Sequence, residues 1–181
     1  STPLYSSAAS DVYKRQPMPT HSEAFEAVVY ALTKSDAKVI DSFDEISAIG
    51  HRIVQGGSIF PNSCLVTPEV IDKIEELGAL APLHNPAHVL AIRACIKTFG
   101  DKIPQVVVFD TSFHQTMPPK AYMYPLPYEY YEKYGVRKYG AHGTSHRFVS
   151  DRVAAIEGKP KKDLKIITCH LGNGCSITAV K

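Results

Sequence analysis

Val106-Val107-Val108-Phe109 is an unbroken apolar run that ends on a carboxylate, Asp110. Such a run, with no polar alternation, suits a strand covered on both faces. Stretches of helical period surround it in the chain. Thr67 is placed to cap one that opens with Pro68 and carries Val70, Ile71, Ile74 and Leu77 on a single stripe. Asn85-Pro86 opens another, with Val89, Ile92, Ile96 and Phe99 on one face and Gly100 as its stop. A first helix is expected from about His21 to Thr33, and a strand over Ile46–Val54 that leads into the Gly56-Gly57 loop. A last helix should follow the polar loop 140–146 with Phe148, Val149, Val153 and Ile156 inward, ended by Gly158 and Pro160. Helical and strand-like segments alternate, so the fold class is α/β. In open sheets of that class ligands bind where strands run into helices, and here those junctions are polar and rich in histidine.

Both ends of the chain read as interrupted. Ile166 to His170 is strand-like, Leu171-Gly172-Asn173-Gly174 turns, and Cys175 to Val180 alternates, which is a hairpin with an Asn-Gly signal. A sheet begun there is expected to continue. Residues 1–16 are Ser- and Ala-rich without periodicity and resemble translated adapter sequence, so they are expected to be a non-native or disordered tail.

Composition narrows the function classes. An apolar share of 44% against 21% charged is that of a globular chain, and a net charge of +2 argues for neither nucleic acid nor a membrane surface. No apolar run approaches the ~20 residues of a membrane helix, and no signal peptide is visible. The four cysteines contain no Cys-x-x-Cys pair and read as reduced thiols, three of them in apolar surroundings, which favours the cytoplasm.

Several side chains are placed for chemistry. Asp110 closes a buried strand, where a carboxylate either faces a ligand or serves as a turn residue. Arg52 lies in Gly50-His51-Arg52-Ile53-Val54-Gln55-Gly56-Gly57; its guanidinium fork matches carboxylate or phosphate, and the plain alternative is a surface salt bridge. The pairs His142/His146 and His84/His88 have the four-residue spacing of a helical metal site. However, Pro86 and Gly143 interrupt the helices, and no zinc-protease Glu lies between the histidines, so no metal ligands are assigned. His142 suits a hydrogen-bond donor to a phosphoryl oxygen, or else a turn-stabilising histidine. His170, Leu171, Gly172, Asn173 and Gly174 form a tight turn whose backbone N–H groups can cradle phosphate. Neither common glycine-rich nucleotide fingerprint is present.

Taken in order, these segments resemble the acetate kinase family. The likeness is carried by Gly50–Val54, Ala81-Pro82-Leu83-His84-Asn85-Pro86, Val108–Pro118, Tyr139–His146 and Cys169–Gly174, and it runs from about His21 to Lys181. The resemblance implies a ribonuclease-H-like fold of the actin-like and sugar-kinase superfamily, with residues 17–112 part of the N-terminal domain and 113–181 the start of the C-terminal one. It implies transfer of the ATP γ-phosphoryl group to acetate, a phosphotransfer to a carboxyl group, with Mg²⁺ (or Mn²⁺) required and a homodimer for the full-length parent. By that likeness Arg52 holds the acetate carboxylate or the moving phosphoryl group. Asp110 orients the nucleophile or metal environment, and His142 stabilises the transition state. Val54 and Leu83 line the methyl pocket, His170 to Gly174 form the phosphate loop, and His146 supports them. Such a set makes chemical sense, because phosphoryl transfer asks mainly for positioning and for donors around developing charge.

The departures from the family pattern are Gln55 where many members carry His, Ala141 at a Phe-or-Ala position, and Cys175 where Gly is frequent. They leave propionate open as a substrate, with a butyrate kinase, a metal-dependent hydrolase and a non-catalytic binding domain as further alternatives. The family's Asn-x-Gly-Ser-Ser-Ser loop has no counterpart here. Its second arginine, adenosine site and metal-associated glutamate lie beyond Lys181. This chain alone is therefore expected to be inactive, and its parent active.

Overall fold

The computed structural model describes residues 20–36, 38–100 and 102–181, and the 1–16 stretch lies outside the described residues. Two compact units divide between Ser42 and Phe43. The first contains α1 (His21–Thr33), as the sequence predicts, with the Thr33 hydroxyl donating to the Val29 carbonyl at 2.7 Å.

In the second unit, β1 (Ile49–Ile53) and β3 (Gln105–Phe109) pair in parallel, and the short β2 (Cys64–Leu65) pairs antiparallel on the other side of β3. β3 is thus the central strand, as its unbroken apolar run requires. β1 is shorter than the expected Ile46–Val54. A 3₁₀ turn over Phe43–Glu45 takes the Ile46 N–H, and the ladder ends at Ile53↔Phe109 because the chain turns at Asp110.

Helices α2 (Pro68–Glu76) and α3 (Asn85–Phe99) connect the strands and cover one face. The Thr67 hydroxyl accepts the Val70 N–H at 3.3 Å, and Gly100 closes α3 with φ 71°, both as the capping signals predict. Ile53, Phe60, Ile71, Ile74, Leu77, Val89, Ile92, Val107 and Phe109 make the core, with Phe60 stacked on Phe109 at 4.3 Å. Each such buried side chain contributes about 1.5–3 kcal/mol relative to exposure. The Tyr-rich segment forms α4 (Pro119–Tyr122) and α5 (Glu129–Tyr134), and the Arg137 guanidinium lies 3.6 Å over the Tyr122 ring.

α6 (Gly143–Glu157) departs from expectation. Phe148, Val149 and Ile156 are exposed and Val153 is half-buried, while Gly143, His146, Ser150 and Ala154 face inward. The helix packs on the Asp110–His114 turn and on β4 (Ile166–Leu171), so closely that only small or hydrogen-bonded side chains fit the contact. β4 pairs antiparallel with β5 (Cys175–Val180) in register Leu171↔Cys175, through a three-residue turn in which the Gly172 N–H meets the Gly174 carbonyl at 3.0 Å.

The hairpin leaves Cys169 and Cys175 exposed. Only Cys95 is buried and Cys64 half-buried, which corrects the expected three apolar environments; all four are free thiols. Among the described residues no helix is long and apolar enough to cross a membrane.

Candidate active site

Parallel strands that end at the same edge of a sheet bring their following loops together. Arg52 is one residue before the end of β1, and Asp110 is one residue after the end of β3. The two therefore meet although 58 positions separate them. Arg52 Nη2 donates to Asp110 Oδ2 at 2.7 Å and Nε to Oδ1 at 3.2 Å, a two-pronged pair that a lysine cannot reproduce. The Asp110 side chain is 2% exposed and that of Arg52 56% exposed. Asp110 is thus the buried anchor, and Arg52 keeps an open edge of N–H donors toward solvent. The Asp110 carboxylate also holds the guanidinium above its ordinary pKa.

Asn85 fixes the loop after β1. It is fully buried; its carbonyl oxygen accepts the Gln55 N–H at 3.2 Å, and its amide donates to the carbonyls of Gln55 at 2.9 Å and Ile74 at 3.1 Å. Thr111 holds the same loop from the other strand, accepting the Gly56 N–H at 3.0 Å.

The start of α6 comes against this pair. A Cβ on Gly143 would sit 1.9 Å from the Asp110 carbonyl oxygen, so only glycine allows the approach. Thr144 Oγ1 reaches toward Asp110 Oδ1 at 3.5 Å. His142, at the N-cap position, has φ 51°, the only left-handed non-glycine backbone among the described residues. Its ring stacks on that of His170 with centroids 4.0 Å apart and planes 18° from parallel. His142 Nδ1 lies 2.8 Å from Ser176 Oγ, and His170 Nδ1 lies 2.9 Å from Ser145 Oγ.

Behind them His146 is 1% exposed, with Nε2 2.8 Å from the same Ser176 Oγ and Nδ1 2.7 Å from Thr168 Oγ1. Burial, the neighbouring His170 and Arg52 push the His142 pKa down, against an opposing pull from Asp110. Burial and the rings of His114, His142 and His170 do the same to His146. Both rings are therefore neutral near pH 7 in the free chain.

Arg52, Asp110, His142, His146 and His170 thus come together, and Gly174 closes on them, since a Cβ there would lie 3.3 Å from the His142 ring edge. Val54 is half-buried and Leu83 is 86% exposed, so Leu83 lines no closed pocket in this structure. A broad open depression of about 1270 Å³ adjoins the cluster through Ala141 and Ser176, but Arg52, Asp110, His142 and His170 are not on its wall. The polar donors, not this concavity, mark the site. Among the described residues no three His, Cys, Asp or Glu side chains are grouped to hold a metal. Asp110 is the carboxylate of the cluster and Arg52 engages both its oxygens, so these residues alone do not fit a Mg²⁺ ion.

The sequence reading missed Asn85, Ser145, Thr168 and Ser176. Asn85 was hidden by its other meaning, since Asn before Pro reads as a helix start.

The sequence profile of the Acetokinase family matches residues 4–181. The chain belongs to the acetokinase family. It is 55% identical over 163 residues to an acetate kinase of Halothermothrix orenii, covering 90% of this chain and 41% of that protein. The crystal structure of Porphyromonas gingivalis acetate kinase superposes with a TM-score of 0.85 at 50% identity, over 92% of this chain and 41% of that one. A propionate kinase from Francisella tularensis gives 0.84 at 45% identity, over 94% and 42%. This acetokinase-family chain thus spans about two fifths of the length of the relatives it matches. Its α/β architecture is a portion of the actin-like, ribonuclease-H-like fold.

Proposed function

We propose that this chain is the part of an acetate kinase that holds the acyl acceptor and the moving phosphoryl group. The observation that carries the reading is the joining of the Arg52–Asp110 pair to the His142–His170 stack at one end of the sheet. An acetate oxygen attacks the γ-phosphorus of ATP; the new O–P bond forms as the bond to the bridging oxygen of ADP breaks. The acceptor carboxylate is already ionised near pH 7, so no general base is needed.

Arg52 offers its open N–H edge to the acceptor carboxylate or the equatorial phosphoryl oxygens, and Asp110 fixes that edge in place. His142 donates to a phosphoryl oxygen as charge develops. In the turn His170-Leu171-Gly172-Asn173-Gly174 the Gly172 N–H is held by the Gly174 carbonyl, and the N–H groups left over are offered to the ATP phosphates; His146 supports the rings, and Val54 and Leu83 border the methyl group. A divalent cation, Mg²⁺ or Mn²⁺, neutralises phosphate charge when bound with the nucleotide. In this reading residues 17–112 and 113–181 belong to two domains of a cytoplasmic homodimer, and acetate and ATP are its substrates. The likeness to a propionate kinase favours a second reading with the same chemistry and a roomier pocket.

The test is ATP-dependent acyl phosphate formation by the full-length protein with acetate, propionate and butyrate. Arg52→Ala should lower turnover about 10²–10³-fold, and Arg52→Lys should restore little of it. Normal turnover by Arg52→Ala would remove the role given to the guanidinium.

A further inference from the structure

Two histidines share one hydroxyl in this site, and a hydroxyl has a single proton to give. A neutral imidazole has one N–H and one lone pair, so each hydrogen bond along such a relay fixes the direction of the next. The relay can be followed from its buried end. Thr168 is 2% exposed, and its Oγ1 lies 3.4 Å from the Thr178 carbonyl, which can only accept. With the Thr168 proton assigned to that carbonyl, Thr168 Oγ1 is the acceptor of His146 Nδ1–H at 2.7 Å. His146 Nε2 then carries a lone pair and accepts the Ser176 proton at 2.8 Å. Ser176, having given its proton, accepts from His142 Nδ1–H at 2.8 Å.

We infer that the relay Thr168–His146–Ser176 sets the tautomer of His142, holding its proton on Nδ1 and leaving Nε2 as a lone pair. Thr168, His146 and Ser176 are positioning residues for a ring they fix through hydrogen bonds. The ring edge bearing Nε2 is the one that faces the 172–174 turn, since a Cβ on Gly174 would approach both Cε1 and Nε2 at 3.3 Å. Toward that turn the neutral ring presents only an acceptor. A phosphoryl oxygen is also an acceptor, so His142 can donate to it through Nε2 only after gaining a second proton. Burial and the stacked His170 keep the free ring neutral at pH 7, so that proton is taken up with the anionic ligand. This last step rests on the kinase reading above; the tautomer itself does not.

The experiment is ¹⁵N-histidine NMR of the 181-residue chain, which distinguishes a protonated ring nitrogen from one with a free lone pair. His142 should show its proton on Nδ1, and so should His146. In Thr168→Val, His146 Nδ1–H loses its acceptor. The relay then reverses: Nε2–H donates to Ser176, Ser176 donates to His142 Nδ1, and the His142 proton moves to Nε2. A purely structural Thr168 would not move a proton three hydrogen bonds away. In Ser176→Ala, His142 should lose its fixed tautomer while His146 keeps Nδ1–H. A wild-type His142 protonated on Nε2, or a His142 tautomer unchanged in Thr168→Val, overturns the relay. The expected tautomers together with a full-length protein that forms no acyl phosphate would uphold the relay and sink the kinase reading alone.

Discussion

Gly143→Ala tests whether the site depends on the close seating of α6 against the Asp110 turn. The added Cβ would meet the Asp110 carbonyl oxygen at 1.9 Å, its carbonyl carbon at 2.9 Å and the Phe113 Cβ at 2.9 Å. Two of these three atoms are backbone and the third is a Cβ, so no rotamer change relieves the clash. The contact must open from 1.9 Å to beyond 3.0 Å, a displacement of about 1.1 Å between the helix start and the strand end. Overpacking of this kind costs roughly 1–3 kcal/mol, and a backbone collision belongs at the upper end. The same shift displaces His142, the residue before Gly143, relative to the Asp110 turn. A misplacement of about 1 Å at reacting groups lowers rate on the order of 10²-fold.

Urea unfolding of the chain measures the first effect, and turnover of the full-length protein measures the second. Gly158→Ala is the control. Its φ of 62° also strains an alanine, but no atom lies within 4 Å of the added Cβ, and it sits at the far end of α6. It should cost about 1–2 kcal/mol and leave turnover near wild type. Wild-type stability and turnover in Gly143→Ala would show that α6 does not seat on Asp110 in this way.

Other outcomes follow from the same structure. Asn85→Ala leaves the Gln55 N–H and the Gln55 and Ile74 carbonyls without their partner. It should destabilise the chain by about 2–4 kcal/mol in urea titration. His146 is buried neutral, its pKa below that of the unfolded ring, so the unfolded state binds more protons as pH falls. Stability is therefore fully present above pH ~6.5 and declines on acidification through the window between the two pKa values; a urea midpoint that does not fall between pH 8 and pH 5 would contradict this. Burial raises the Cys95 thiol pKa, whereas Cys169 and Cys175 stand exposed on the hairpin. Thiol labelling of the native chain should modify the hairpin pair first and Cys95 only on unfolding.

Some of this was legible from residues three or four positions apart. The Thr67 cap, Pro68 and Asn85-Pro86 as helix starts, the Gly100 and Gly158 stops and the 172–174 turn all appear where local chemistry puts them. So does β3, whose apolar run by itself demanded cover on both faces. The motif residues Arg52, Asp110, His142 and His170 were visible as types placed for chemistry. Their joining was not.

α6 shows why. Its apolar residues predicted an inward face, but the neighbour it packs against is a polar turn with no room for side chains, and the helix turned Gly143, His146 and Ser150 to it instead. The same holds for Asn85, Thr168 and Ser176, whose partners lie 10 to 34 positions away in sequence. Caps and turns are settled within one helical turn of chain, so the sequence alone determined where the capped helices and the hairpin turn fall, whereas the ends of β1 were set by its pairing with β3. Which nitrogen bears a proton, and which arginine edge stays open, depends on strand ends and rings brought together from distant segments, and only the tertiary structure decided those.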